Sequence, residues 1–485
     1  MSKIFELEPK QVWKHFHSLT QIPRPSKKEA KVIAFMKKFG EDLGLETIVD
    51  EIGNVIIRKP ATKGMENRKG IIMQTHLDMV PQKNSDNPHD FEKDPIKAYV
   101  DGEWVTAEGT TLGADNGMGA AATMAVLESK DLVHGPIEAL FTIDEETGMT
   151  GAENLKPGLL KGDILLNLDS EDEGELYIGC AGGVDVNVKM EYPQVPSPKG
   201  FDAFVLTLKG LRGGHSGMDI NVGRANSNKL MARFLNHCIY HFDFKLAKFE
   251  GGSLRNAIPR EAFATLLIKA DEVKKFKAEV TLFDKTYSTE FARTEPDLKL
   301  SLAPAEMPKM VAADNFKEKM IKTVFACPHG VERMSDSMPG LVETSNNLAI
   351  VKIIDGLFTV NCLVRSSVDS AKMGTMYKIG TIFDLIGADV KFEGAYPGWK
   401  PNTDSPILKT MQSVYQKLYG KVPEVKAIHA GLECGILGAA YPNWDMISFG
   451  PTIRYPHSPD EKVNIASVGK FWNYLTETLK NVPVK

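Results

Sequence analysis

Seven acidic and histidine side chains stand just beyond short apolar runs in this chain of 485 residues: His76 and Asp78 in QTHLDMV, Asp115 in GADNG, Glu145 and Glu146 in IDEETG, Asp169 in LNLDSE, and His457 in RYPHSPDE. A short, continuous apolar run such as GIIMQTHLDMV reads as a strand in a sheet buried on both faces. PIEALFTIDEE, DILLNLDSE and NWDMISFG repeat the pattern. Each candidate ligand lies at the end of such a strand or in the loop after it. In α/β sheets that is where ligands bind.

The segments between these runs are helical in pattern. EAKVIAFMKKFGEDLGL predicts an early amphipathic helix closed near Gly44, ETIVDEIGNVIIRKP a hairpin, and GMGAAATMAVLES a small-residue helix able to pack close to a sheet. SPDEKVNIASVGKFWNYLTETLKN predicts a final helix, with Ser458 and Glu461 at capping-box spacing and Pro459 at its first position. Alternating strands and helices imply an α/β fold with a central mixed, largely parallel sheet.

Between about Val184 and Ala395 the character changes. FDAFVLTLKGLRGGHSG, EAFATLLIKA and LFTVNCLVRSSVD alternate like exposed-face strands, and SNKLMARFLNHCIYHF and DSAKMGTMYKIGTIFDLIG read as surface-packed helices. This predicts an inserted α+β lid domain over about 185–395, splitting a catalytic domain into about 1–184 and 396–485. The insert is long enough for two related subdomains, although no internal repeat is visible. Gly182 and Gly183 fall near the first crossing, as a hinge or as plain loop glycines.

Composition narrows the function classes. With 42% hydrophobic and 25% charged residues and a net charge of −5, the chain is an ordinary soluble protein without a basic tract, which argues against nucleic acid as a partner. MSKIFELEPKQVWKHFHSLTQ lacks the apolar core of a signal peptide, and no run reaches the roughly 18 apolar residues of a membrane span. Five widely spaced cysteines with no C-x-x-C pair predict buried, reduced thiols in the cytoplasm and no cysteine metal cage. GTTLGADNG and GCAGGVD lack the lysine and strand–helix context of phosphate or dinucleotide loops. The acidic run SEDEGE reads as a solvated loop that raises the negative potential beside Asp169.

Imidazole and carboxylate without thiolate suit zinc, cobalt or manganese. Two such ions need a bridging carboxylate, and Asp115, alone in its Gly-rich turn, is the candidate. Adjacent Glu145 and Glu146 cannot point the same way from an extended backbone, so one can bind metal while the other acts as general base. In H-x-D, Asp78 is placed to accept the second ring N–H of His76 and fix its tautomer.

On THLDMVPQKN, TLGADNGMGAAA, FTIDEETGMTGA, LNLDSEDEGELYIGCAGG, LRGGHSGMDIN and YPHSPDE, the chain resembles the M20 metallopeptidases along essentially its whole length. Within them it resembles the aminoacyl-histidine (Xaa-His) dipeptidases, also called cytosolic non-specific dipeptidases. The resemblance implies two divalent ions, zinc first: His76 and Asp169 on one, Glu146 and His457 on the other, Asp115 bridging, Glu145 as general base and Asp78 as the orienting carboxylate. It also implies a cis peptide at Asp115–Asn116. In the lid it makes His215 the stabiliser of the oxyanion, Asn256 and Arg365 substrate contacts, and Gly431 a source of backbone contacts. The implied reaction is hydrolysis of unblocked dipeptides, β-alanyl-histidine included, by a water that Glu145 deprotonates. An N-acyl amino acid amidohydrolase, a carboxypeptidase of the same family and a non-catalytic peptide-binding scaffold are the alternatives, the last of which predicts missing ligands. Monomer and homodimer stay open, because a long lid serving its own site makes a monomer competent.

Overall fold

The structure, a computed structural model, describes residues 4–485. They form two units: one built from the chain up to Gly179 with Pro401–Ala427 and Leu432–Lys485, the other from Cys180–Lys400 with Ile428–Gly431. Both expected boundaries therefore lie inside the second unit, and Gly431 groups with the insert.

The first unit is organised by an eight-stranded mixed sheet. At its centre Ile137–Thr142, Ile71–His76, Ile164–Asn167 and Asp445–Ser448 run parallel, while Glu46–Val49, Val55–Lys59 and Glu175–Cys180 add antiparallel flanks. All six residues of Ile71–His76 and of Ile137–Thr142 are buried, as continuous apolar runs require in a doubly covered sheet. His76 pairs in register with Thr142, and Gln74 with Asn167, so the carboxyl ends of three strands open at one edge. The helix Ala114–Glu128 packs there through small residues. A Cβ at Gly119 would strike Asn116 Oδ1, the Leu168 carbonyl and Thr75, so glycine allows the close approach.

A four-stranded antiparallel sheet flanks this core and contains the hairpin Ile453–Arg454 with Lys462–Asn464. Its connecting loop carries His457. The capping box predicted at Ser458–Glu461 does not cap a helix, because the final helix begins at Ile465 and its Ncap is Asn464, whose side chain accepts from Ser467 N. Ser458 and Glu461 instead close a turn, Glu461 N donating to the Ser458 carbonyl at 3.0 Å.

The second unit holds a nine-stranded sheet whose neighbouring strands pair antiparallel. Along Gly182–Glu191 the residues Val184, Val186, Val188 and Met190 are buried while the side chains between them are more open, the period-2 pattern of a sheet covered on one face. Val273–Glu290, Asp314–Ala326, Asp369–Asp384 and Ser227–Ile239 share its apolar core, the last capped by Asn226, whose side chain accepts from Lys229 N. Gly182 and Gly183 are not loop glycines. They begin a paired strand, and a Cβ on Gly182 would collide with the backbone of Tyr396–Gly398. The five cysteines are buried and unbridged. No helix among the described residues is long and apolar enough to cross a membrane.

Candidate metal centre and substrate-contact cluster

The open edge of the parallel strands gathers the seven residues. His76 ends its strand, Asp169 lies two residues past Asn167, and Glu145 and Glu146 start a helical turn, Glu145–Gly148, after Asp144 takes a left-handed φ of 52°. The glutamates thus leave a helical turn and not an extended backbone, which differs from the expectation. Asp115 sits in a non-helical kink at the start of Ala114–Glu128, and the Asp115–Asn116 peptide is cis. The Asn116 side chain donates to the Leu168 carbonyl and to Asp169 Oδ1.

The two oxygens of Asp115 face different partners. Oδ1 lies 3.1 Å from His76 Nε2, which is also 3.4 Å from Asp169 Oδ1. Oδ2 lies 3.3 Å from His457 Nε2, which is 3.0 Å from Glu146 Oε2. Ligand atoms of His76, Asp115 and Asp169 fall within 4.8 Å of one another, as do those of Asp115, Glu146 and His457, and those of His76, Glu145 and Glu146.

The donor set fits divalent cations. No lysine or arginine among the described residues forms an ion pair with Asp115, Glu145, Glu146 or Asp169, and Glu146 Oε1 is buried without a hydrogen-bond partner. Such crowding of carboxylates without fixed cations suits an imidazole–carboxylate metal site. Burial lowers the basicity of His76, but Asp169, Asp115 and Asp78 outweigh it and hold the ring well above its ordinary range. Hydrogen bonds to Asp115 and Glu146 raise His457 to about 11. Burial pushes Glu145 well above the carboxylate range, opposed by His76 and reinforced by Asp169, Glu433 and Glu146. No hydrogen-bond donor among the described residues engages the Glu145 carboxylate.

Asp78 ties these pieces together. It accepts the backbone N–H of Glu145 at 3.0 Å and of Glu146 at 3.2 Å and the Ser26 hydroxyl at 2.8 Å, and its Oδ1 lies 3.3 Å from His76 Nδ1. Against the cost of burial, these contacts hold it at about 2. A second acidic group, Glu29, Asp78 and Asp144, is occupied by donors: Glu29 Oε1 accepts from Lys27 N and Asp144 N, and Asp144 accepts the hydroxyls of Thr147 and Thr150.

Several contributors escaped the sequence reading. Buried Arg24 donates to the carbonyls of Leu77, Asp78 and Gly113. Glu433 accepts from Gln74 and Thr142, and Gln74 continues through Asn167 to Ser448 beneath the strand ends. Nothing in their local sequence marks them, since their partners are remote in the chain. The run SEDEGE is not simply solvated: Glu173 accepts the Tyr415 hydroxyl and pairs with Lys470, Glu175 pairs with Lys426, and Asp172 pairs with Arg454.

Within the second unit His215, Arg365 and His429 form a cluster. His215 lies in a two-residue strand against Ala257–Ile258, and its Nδ1 accepts the backbone N–H groups of Gly217 and Met218 at 3.2 and 3.1 Å. That arrangement places the ring proton on Nε2. Burial lowers its pKa, and the Arg365 charge lowers it further. Arg365 is 6% exposed, donates to Ser216 Oγ and the Tyr396 hydroxyl, and has no ion-pair partner among the described residues. His429 reaches the Ser345 hydroxyl at 2.7 Å. Asn256 has an exposed side chain, while its carbonyl accepts from Ser216 N at 2.8 Å. Gly431 is partly buried two residues beyond His429.

A family model described as Peptidase family M20/M25/M40 matches residues 72–481. The chain is 47% identical over 485 residues to the cytosol non-specific dipeptidase of Escherichia coli (strain K12), with 100% of both chains covered. It aligns with the crystal structure of aminoacylhistidine dipeptidase from Vibrio alginolyticus at a TM-score of 0.96 and 48% identity, over 100% of this chain and 99% of that one. The aminopeptidase PepT of Bacillus cereus shares the fold at a TM-score of 0.58 and 17% identity, over 98% and 99% of the two chains.

Proposed function

The chain belongs to peptidase family M20/M25/M40, and we propose that it is a metal-dependent dipeptidase acting on unblocked dipeptides, with Xaa-His dipeptides such as β-alanyl-histidine among its substrates. The observation that carries this reading is the division of the Asp115 carboxylate between two imidazole–carboxylate pairs, an arrangement suited to two cations sharing one ligand. His76 and Asp169 would hold the first, Glu146 and His457 the second, and Asp115 both; zinc fits the donors best, with cobalt or manganese as alternatives. Cations bound there supply Lewis acidity, polarising a carbonyl and acidifying water.

The remaining steps belong to side chains. Glu145 takes the proton of the attacking water and returns it to the leaving amine, a cycle helped by a basicity raised above that of an ordinary carboxylate. Asp78 holds His76 and the start of the glutamate turn in place. In the second unit, neutral His215 offers its Nε2–H to the developing oxyanion. The buried guanidinium of Arg365, without an ion-pair partner among the described residues, receives the free carboxylate of the substrate. Asn256 and the Gly431 backbone contribute further substrate contacts, and the cytoplasm is the proposed compartment.

The test is a dipeptide panel, β-alanyl-histidine included, assayed with defined metals against the N-acetylated form of each peptide. Turnover of free dipeptides with rejection of blocked ones is expected. Preference for the blocked peptides would replace the dipeptidase reading with an N-acyl amidohydrolase.

A further inference from the structure

Glu461 is 2% exposed, and its carboxylate collects four consecutive backbone N–H groups: Oε2 accepts from Leu112 at 2.7 Å and Gly113 at 3.0 Å, Oε1 from Ala114 at 2.7 Å and Asp115 at 3.2 Å. Four successive amides converge because Gly113 adopts a φ of 71°, curling the turn into a concave row of donors. From the same turn the Gly113 carbonyl accepts Arg24 Nη2 at 2.6 Å, and the other guanidinium amine holds the carbonyls of Leu77 and Asp78. A buried carboxylate and a buried guanidinium thus grip the backbone of one turn, the carboxylate by its N–H groups and the guanidinium by its carbonyl.

Glu461 also ends the loop that carries His457, four residues earlier, and its own carbonyl accepts the Thr106 hydroxyl at 2.8 Å. The same residue therefore joins the segment presenting His457 to the turn presenting Asp115, whose Oδ2 stands 3.3 Å from His457 Nε2. We propose that Glu461 is a positioning residue that sets the spacing of Asp115 and His457 and so governs cation affinity at the Asp115–Glu146–His457 group, leaving the His76–Asp115–Asp169 group comparatively unaffected. The proposal rests on the reading of these residues as metal ligands.

Glu461→Gln tests it, because an amide keeps one oxygen acceptor and turns an NH2 group toward two of the four donors. Metal-stripped wild-type and variant chains are titrated with zinc against a chromophoric chelator, and kcat and KM for a dipeptide are measured at low and saturating zinc. The expected result is one site with unchanged affinity and a second weakened about 10–100-fold. The loss of kcat is recovered at high zinc, with KM little changed. A residue that only stabilised the fold would lower the melting temperature without separating the two affinities. If wild type takes two zinc ions and Glu461→Gln binds both with wild-type affinity, the proposal fails alone. If wild type takes a single zinc, the ligand reading fails and the proposal with it. Glu461→Asp, which keeps the charge but withdraws it by one methylene, carries the same readout if the glutamine variant does not fold.

Discussion

The Asp78 carboxylate accepts the backbone N–H of Glu145 at 3.0 Å, so the residue that stands against the His76 ring also fixes where the paired glutamates begin. Asp78→Asn keeps the shape but sets an NH2 group against one of its present donors, the backbone N–H groups and the Ser26 hydroxyl. We expect kcat/KM to fall by about 10–100-fold, the usual cost of losing a partner that orients a metal ligand. Steady-state kinetics at saturating zinc checks this.

Glu145 has no hydrogen-bond donor among the described residues and lies near other carboxylates, the setting of a group that exchanges a proton. Glu145→Gln removes the proposed base while leaving the two imidazole–carboxylate groups intact. Turnover should drop by at least about 10²–10⁴-fold, with metal content by elemental analysis equal to wild type. Substantial residual activity would remove the proton-transfer role from this residue.

The guanidinium of Arg365 is buried without an ionic partner among the described residues, so a carboxylate ligand should complete it. In Arg365→Ala, kcat/KM for free-carboxylate dipeptides should decline by about 2 kcal/mol or more, roughly 30-fold. Dipeptide amides, expected to be poor substrates of wild type, should change little. An equal loss for acid and amide would detach Arg365 from carboxylate recognition.

His429 gives a pH dependence whose sign follows from burial. Burial, with the charge of Arg365, lowers it from about 6.5 to about 3. Below about pH 6.5 the unfolded chain therefore binds a proton that the folded chain refuses. Stability is fully present above that pH and is lost as pH falls toward 3, at a slope of up to about 1.4 kcal/mol per pH unit. Urea unfolding of metal-free wild type and His429→Gln between about pH 7 and 4 should show a shallower decline in the variant. Parallel curves would show that this histidine does not contribute.

The seven ligand-type residues were legible because strands buried on both faces leave continuous apolar runs, and the polar residue that ends each run marks the open edge of the sheet. The helical turn at Glu145 was not legible, since it follows from the left-handed backbone at Asp144 and from Asp78, 67 residues upstream of Glu145. Glu461 misled for a related reason: its spacing from Ser458 imitates a helix cap, whereas its donors lie more than 340 positions earlier. Of the antiparallel flanks, the hairpin Glu46–Val49 with Val55–Lys59 was legible in ETIVDEIGNVIIRKP, whereas Glu175–Cys180 was silent, because pairing direction at an edge depends on which neighbour the chain reaches.

His215 carries one further consequence. With Nδ1 already accepting from Gly217 and Met218, this ring can give a hydrogen bond but has no acceptor left to offer. In its proposed role toward the scissile amide, His215 should sort inhibitors by polarity before shape matters: a phosphinate in place of that amide presents oxygen acceptors and should be matched, whereas a reduced amide presents a protonated amine and should be refused.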